Sequence, residues 1–273
     1  MKRCVLCGKR TFIPVLSRPQ ASVAKCTSCG LVQVVPMPTP AEIASLYHED
    51  LEHFDPYVAQ IPVHRQYFRK KVREVQQTVK GKKLLDIGCA MGILLEEAKK
   101  IGFRVQGVDI SKDAVLYCRK KGLSVSQTWP KTHFDVVTAF ELIEHEQSPL
   151  ALMRRVHALL NKGGIAVLTT PNHSGNWRKI MGTWWVGYRH PEHVTFWDPV
   201  SIWELFRRAG FTDVHIRRDD PRPFPLSFLF TRSADYFPWA AWILRPLGKL
   251  FDKLDIINPI NPWDDLIVIG RKD

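Results

Sequence analysis

Between residues 61 and 271, short apolar runs alternate with stretches whose apolar positions recur every three or four residues. The first kind predicts buried strands and the second predicts helices. Ile61, Tyr67, Phe68, Val72, Val75 and Val79 form a helical stripe with basic residues between them. Lys82–Ile87 reads as a first strand, Met91–Ile101 as a helix closed by Gly102, and Phe103–Asp109 as a second strand. Ser111 is placed to cap a helix that runs to Lys121 and stops at Gly122. Leu123–Ser126 and Phe134–Phe140 are the third and fourth strands. Ser148-Pro149 offers a cap and a first-turn proline for a helix to Leu160, and Lys162-Gly163-Gly164 turns the chain into a fifth strand, Ile165–Thr170. Asp198-Pro199 opens another helix that ends near Ala209-Gly210, and Thr212–Arg217 and Leu266–Arg271 are the last strands. Such alternation packs as an α/β fold, a parallel sheet with helices on both faces.

The turn between the first strand and its helix carries the chemistry. Leu84-Leu85-Asp86-Ile87-Gly88-Cys89-Ala90-Met91-Gly92 is a strand, a glycine-rich bend and a helix start, and Asp109 closes the next strand. Glycines let backbone approach a ligand, and an acid ending the second strand suits two ribose hydroxyls. A pyrophosphate loop presents bare N–H groups to an anion. Here Asp86 opens the bend, so its fixed negative charge suits a nucleoside bearing an ammonium group.

Asp86-x-Gly88-x-Ala90-x-Gly92 with Asp109 resembles the cofactor loop of class I S-adenosylmethionine-dependent methyltransferases. The resemblance spans roughly residues 61 to 218 and returns at the C-terminal strand. It implies a Rossmann-like sheet of seven strands, the last antiparallel. It also implies that Asp86, Gly88, Ala90, Gly92, Asp109, Ile110 and Phe140 line the cofactor site. Family members usually have Gly where Ala90 stands, and a methyl group there is expected to keep the backbone at negative φ. After the fourth strand, Glu141-Leu142-Ile143-Glu144-His145 resembles the Glu-His pair of ubiquinone-type and related small-molecule O-methyltransferases. That likeness places His145 near the transferable methyl group, with Glu144 beside it and His193 as a second candidate base. A neutral imidazole can take the proton from an acceptor hydroxyl. The alternative is that Glu144 and His145 cap the following helix or bond the cofactor.

Cys4-x-x-Cys7-Gly8 and Cys26-x-x-Cys29-Gly30 are two knuckles with 18 residues between them. Each turn aims two thiolates at one point, and four sulfurs give a closed structural zinc site rather than a catalytic one. A ribbon this small cannot bury enough core alone, so the metal is expected to stabilise it. Cys89 and Cys118 read as lone thiols of a reducing compartment. The domain reading is therefore a zinc ribbon over 1–38, a linker and N-terminal helices over 39–80, and the methyltransferase domain over 81–273. The ribbon, the Pro36-Met37-Pro38-Thr39-Pro40 break and Leu46-Tyr47 also resemble a bacterial arrangement in which such a ribbon precedes a methyltransferase acting on sugars.

Two segments fit no standard element. Residues 171–198 hold Trp177, Trp184, Trp185, Tyr188, His190, His193, Phe196 and Trp197, an aromatic set that either forms a lid over a ring-shaped acceptor or packs as core. A metal shared by His190 and His193 is disfavoured, because Pro191 breaks the helical spacing it needs. Residues 219–263 are an insertion with Trp239, Trp242, Ile243, Leu247, Leu250, Phe251 and Leu254 at helical spacing and Arg245, Lys249 and Lys253 between them. Such a segment lies in a membrane surface, covers its own sheet, or makes an oligomer contact.

Net charge is +12, from 39 basic and 27 acidic residues. That favours an anionic partner without naming it. No run approaches the ~20 apolar residues that cross a bilayer, and no secretory segment opens the chain. The expectation is a cytoplasmic enzyme, or one peripheral at the inner face of a membrane. Its acceptor would be a small molecule, a sugar or a lipid-linked glycan. The alternatives are an RNA methyltransferase that uses the ribbon for binding, with nucleic acid the weaker fit because no Asn/Asp-Pro-Pro-Tyr motif follows strand four, and a non-catalytic binding protein of the same fold.

Overall fold

The computed structural model describes residues 3–17, 22–39, 41–42, 61–185, 187–188, 192–222, 225–236, 238–252 and 264–273. His190, Lys253, Leu254, Leu46 and Tyr47, singled out in the sequence, lie outside the described residues. The ribbon contributes β1 (Phe12–Ser17), β2 (Ser22–Cys26) and β3 (Val32–Val35). α1 (Ile61–Thr78) then leads into β4 (Lys83–Ile87), α2 (Ile93–Lys100), β5 (Arg104–Val108), α3 (Lys112–Lys120) and β6 (Val125–Ser126). β7 (Phe134–Phe140), a short 3-10 turn (Ile143–His145), α4 (Pro149–Leu159) and β8 (Leu160–Pro171) follow. The remainder comprises α5 (Asn176–Met181), β9 (Thr195–Phe196), α6 (Pro199–Ala209), β10 (Asp213–Arg218), α7 (Leu226–Tyr236), α8 (Ala241–Asp252) and β11 (Asp265–Arg271).

Seven strands form one sheet in the order β10-β11-β8-β7-β4-β5-β6. β4 pairs in parallel with both β5 and β7, β8 runs parallel to β7, and β11 is antiparallel to both β8 and β10. This is the Rossmann-like sheet with its reversed last strand. Chain order reverses at β4, so the crevice opens beyond the carboxyl ends of β4 and β7. Alternate residues feed opposite faces, as a period-2 strand requires. Leu85, Val137 and Ala139 pack with Met153, Val156, Ile202 and Leu205 on one side. Leu84, Val136 and Ile267 pack with Val72, Val75, Leu94 and Leu95 on the other. α1 is fastened by charge as well as by its stripe. Lys71, 1% exposed, lies 2.5 Å from both Asp219 and Asp220, and Arg65 pairs with Glu96 and Glu97.

The ribbon is continuous with this body. Cys4, Leu6, Cys26 and Leu31 belong to the same buried cluster as Ile143 and Trp197. β3 also pairs antiparallel with β9, Gln33 opposite Thr195 and Val32 opposite Phe196, so the ribbon sheet runs β1-β2-β3-β9. The aromatic set of 171–198 divides accordingly. Trp185, Tyr188 and Phe196 pack against Val23, Val32 and Val34, and Trp197 is fully buried, whereas Trp184 is 63% exposed. The core reading therefore describes most of these rings, because a small β-ribbon needs apolar partners that it cannot supply itself.

Local structure departs from expectation at three places. Ser148 makes no side-chain cap. Its carbonyl accepts from Leu152 N–H, while Pro149 starts the helix as expected. Ala90 adopts φ +44° instead of a negative angle. A tight loop whose Ala90 N–H must reach Asp109 Oδ2, at 2.8 Å, fixes that angle despite the methyl group. Lys162-Gly163-Gly164 lies inside β8 and not before it, with Gly163 at φ +76°, while the other caps hold. Ser111 Oγ accepts from Ala114 N–H, and Asp198 forms a capping box with Ser201. In the insertion, α7 and α8 pack on each other, with Phe230 and Phe251 stacked at 5.1 Å and Gly248 seated against Ser227 and Thr231. Trp239 and Trp242 are each 75% exposed.

Candidate active site

The glycine-rich loop leaves β4 at the crevice. Gly88 N–H donates to the Val108 carbonyl at 2.8 Å, which ties the bend to the end of β5. A side chain at Gly88 would press on Leu142 Cδ1 at 3.1 Å. One at Gly92, whose φ is +71°, would meet Leu123 and the Cys118 sulfur below 3.0 Å. Glycine suits both positions, because Gly88 (φ +72°) and Gly92 are in the left-handed region and side chains of neighbouring elements pack directly on them. Asp109 latches the loop: one carboxylate oxygen accepts from Ala90 N–H and the other from Ser111 N–H at 2.9 Å. Ile110 beside it is 66% exposed, an apolar surface adjoining the bend.

Asp86 is 4% exposed and accepts a 2.6 Å bond from the Thr138 hydroxyl. Burial, reinforced by the charge of Asp109, pushes its carboxyl up to about 7, against the effect of Thr138. Burial likewise raises Asp109, against its backbone donors. Buried Asp86 and half-buried Asp109 face one loop with no ion-pair partner among the described residues. That donor set fits a cationic nucleoside, since a positive charge would relieve the cost of ionising Asp86. Phe140, at the end of β7, stacks on Phe68 at 5.7 Å and meets Tyr67 edge-on.

Beyond β7 the backbone turns sharply at Glu141, φ +51°, whose N–H donates to the Thr169 carbonyl. Leu142 then lies against the glycine loop, and the 3-10 turn presents Glu144 and His145. Glu144 is 2% exposed. One oxygen accepts from Thr170 at 3.1 Å and the other has no hydrogen-bond partner among the described residues. Burial, with the charge of Glu141 added, pushes its carboxyl well above the usual range. His145 and His193 meet edge to face at 4.7 Å between ring centres. His145 Nδ1 lies 3.0 Å from the Glu192 carbonyl, and His193 Nδ1 lies 2.8 Å from the Gly187 carbonyl. A carbonyl only accepts, so each Nδ1 carries the hydrogen and Nε2 is the basic nitrogen of the neutral ring. Ligand atoms of Glu144, His145 and His193 fall within 4.8 Å of one another. The two histidines expected to serve the acceptor, 48 residues apart, therefore converge.

Sequence reasoning missed several neighbours. Thr138, a hydroxyl inside an apolar strand, was a visible signal. Arg222 was not: its guanidinium lies 4.8 Å above the Tyr67 ring and 3.3 Å from Glu141, joining the insertion to the crevice. Asp265, buried beside them, has one oxygen without a hydrogen-bond partner among the described residues. A cavity of about 260 Å³ between α1 and β11, lined by Val75, Val167, Ile267 and Ile269, shares no residue with the loop or the histidine pair.

In the ribbon, Cys4 Sγ lies 3.4 Å from Cys29 Sγ and Cys7 Sγ lies 3.5 Å from Cys26 Sγ, with all four sulfurs within 4.8 Å of one another. These gaps far exceed the ~2.05 Å of a disulfide. They approach the ~3.8 Å sulfur–sulfur edge of a tetrahedral site with ~2.3 Å metal–sulfur bonds. The donor set fits zinc.

A family model described as a methyltransferase domain matches residues 57–216, more than half of the chain. The chain belongs to the class I S-adenosylmethionine-dependent methyltransferases. The methyltransferase is 31% identical over 210 residues to a ubiquinone biosynthesis O-methyltransferase of Rhodopseudomonas palustris, a match covering 67% of this chain and 81% of that protein. A protein of the same description from Cereibacter sphaeroides is 27% identical over 206 residues, covering 64% and 83%. Among solved structures, a methyltransferase from Archaeoglobus fulgidus superposes with TM-score 0.52 at 20% identity, over 79% of this chain and 99% of that one. The 1,6-didemethyltoxoflavin-N1-methyltransferase of Burkholderia thailandensis, solved with its substrate and S-adenosylhomocysteine, gives TM-score 0.55 at 16% identity, over 95% and 98%. These two share the fold. No helix among the described residues is long and apolar enough to cross a membrane.

Proposed function

We propose that the methyltransferase O-methylates a hydroxyl of a small-molecule, sugar or lipid-linked glycan acceptor. Asp86 and the backbone at Gly88, Ala90 and Gly92 would hold the methionine end of S-adenosylmethionine. Asp109 would take the ribose, with Ile110 and Phe140 as apolar walls. The bound cofactor supplies an activated methyl group on a cationic sulfur. The protein's own work is to align the acceptor within ~3–3.5 Å and take up its proton.

The observation that carries this reading is the histidine pair, with both imidazoles held through Nδ1 by backbone carbonyls just past Leu142. His145 Nε2 acts as base, His193 orients it or substitutes for it, and the buried Glu144 steadies the turn. Similarity to ubiquinone biosynthesis O-methyltransferases supports hydroxyl chemistry. Cys4, Cys7, Cys26 and Cys29 hold a structural zinc ion within a module spanning 1–38, ahead of a linker and N-terminal helices over 39–80 and the 81–273 catalytic domain.

Incubation with methyl-labelled cofactor and two acceptor panels tests the reading. One panel holds hydroxylated small molecules and glycans, the other RNA. Label confined to the first supports O-methylation. Label confined to RNA transfers the assignment to nucleic acid, and binding of S-adenosylhomocysteine without any transfer points to a non-catalytic role.

A second reading concerns partners. Trp239, Trp242, Ile243 and Leu250 are exposed on the insertion beside exposed Arg245 and Lys249. Interfacial tryptophans interleaved with cations suit an anionic lipid surface, which would fit a lipid-linked acceptor. Co-sedimentation with phosphatidylglycerol vesicles is expected to fall several-fold in a Trp239→Ala/Trp242→Ala variant. Unchanged sedimentation removes the membrane.

A further inference from the structure

Thr195 sits where ribbon and catalytic body meet. Its backbone pairs with Gln33 of β3. Its hydroxyl bonds the carbonyls of Ile143 at 3.0 Å and Glu144 at 3.3 Å, and accepts from Trp197 Nε1 at 3.0 Å. One residue earlier, Val194 N–H donates to the Glu144 carbonyl, and the Val194 carbonyl accepts from Val34 N–H, both at 2.9 Å. Gln33 itself is 1% exposed and reaches back to the first knuckle. Its Oε1 accepts from Val5 N–H at 2.9 Å and its Nε2 donates to the Arg3 carbonyl at 3.0 Å. A short bonded path thus runs from the first cysteine pair through Gln33 and Thr195 to the turn bearing His145, and through Val194 to His193.

We propose that the metal-clipped ribbon is a positioning element for the acceptor side of the active site, with Gln33 the positioning residue through which the first knuckle acts. A two-residue strand such as β9 has too few ladder bonds to hold its own register. Its geometry comes from β3, and from the Val23, Val32 and Val34 side chains beneath Trp185, Tyr188 and Phe196. The glycine loop is anchored differently, by Val108, Asp109 and Ser111 of the central sheet and its helices. Loss of the metal therefore loosens His145 and His193 while sparing the cofactor side. The inference rests on reading those two histidines as the acceptor wall.

Full-length protein loaded with zinc, stripped with 1,10-phenanthroline and reloaded with Zn²⁺ is compared by hydrogen exchange and by titration with S-adenosylhomocysteine. Stripping is expected to speed exchange over 143–147 and 193–197 by about tenfold or more, reversed on reloading, while 84–92 changes by less than about twofold. Affinity for S-adenosylhomocysteine stays within about threefold. Unchanged protection at 193–197 overturns the proposal. If stripping unfolds the whole chain, a zinc-loaded Gln33→Leu variant decides. Faster exchange at 193–197 with zinc content and S-adenosylhomocysteine affinity retained supports the path, and wild-type exchange there refutes it. Zinc-loaded wild-type protein that never binds S-adenosylhomocysteine counts instead against the proposed function, and the exchange data still judge the brace.

Discussion

The two sides of the crevice are built in opposite ways. The cofactor side is compact in sequence: Asp86 to Gly92, then Asp109 to Ser111, with the loop latched 19 residues away at Asp109 and Asp86 reaching 52 residues to Thr138 of the adjoining β7. The acceptor side is assembled from 33–34, 143–145, 193–197 and 222, and its bonds bridge separations of tens to more than a hundred residues. A local loop needs only its own strand and helix to hold its shape. An assembled wall depends on every packed module that supplies a part, so damage to a distant one reaches it. Disturbance on one side should leave the other intact.

The strongest way to break that contrast is His145→Asn. Methyl transfer is expected to drop about 10²–10⁴-fold while S-adenosylhomocysteine affinity, measured by calorimetry, stays near wild type. A parallel loss of affinity would mean the two sides are one unit. The converse change, Asp109→Ala, removes a charged acceptor from the loop and should weaken S-adenosylhomocysteine by about 10²-fold. Exchange at 193–197 should not respond.

Protonation sharpens the same point. Asp86 ionises at about 7 in the folded chain against an ordinary value of 3.8, so below neutrality it is uncharged and cannot pair with a cation. Cofactor affinity should therefore strengthen as pH rises through about 7, with about a tenfold loss for each unit below it. Because the folded value is raised, the ligand-free protein loses stability between about pH 4 and 7 as the unfolded chain ionises first. Asp86→Asn should flatten both slopes, and slopes that persist would assign them to another group. The smallest effect belongs to Ala90→Gly. Relief of φ +44° should stabilise the fold by about 1 kcal/mol, read as a modest rise in Tm, and an unchanged or lower Tm would show that the angle carries no strain. Gly92→Ala, at φ +71° and with Leu123 in the way, should do the reverse.

Much of this was legible before any coordinates. Leu84–Gly92 and Asp109 named the loop because strand, bend and helix follow one another in sequence, and the four cysteines named the ribbon because metal spacing is local. Ala90 was misjudged because its angle is set by a bond to Asp109, 19 residues away, rather than by its own methyl group. The aromatic set of 171–198 stayed ambiguous for a related reason. A tryptophan in a lid and one in a core read alike until the ribbon valines beneath Trp185, Tyr188 and Phe196 come into view. Arg222 gave no sign, since nothing near it in sequence shows that it will meet Tyr67 and Glu141.

The amino-acid order by itself determined the strand–helix alternation, the glycine bend with its two acids, and the four-sulfur clip. Each of these is read from short motifs whose residue types and spacing are themselves the signal. Only the tertiary structure decided that the ribbon shares a sheet with Thr195–Phe196 and that His145 meets His193. Those pairings depend on which distant apolar surfaces find each other when the core closes.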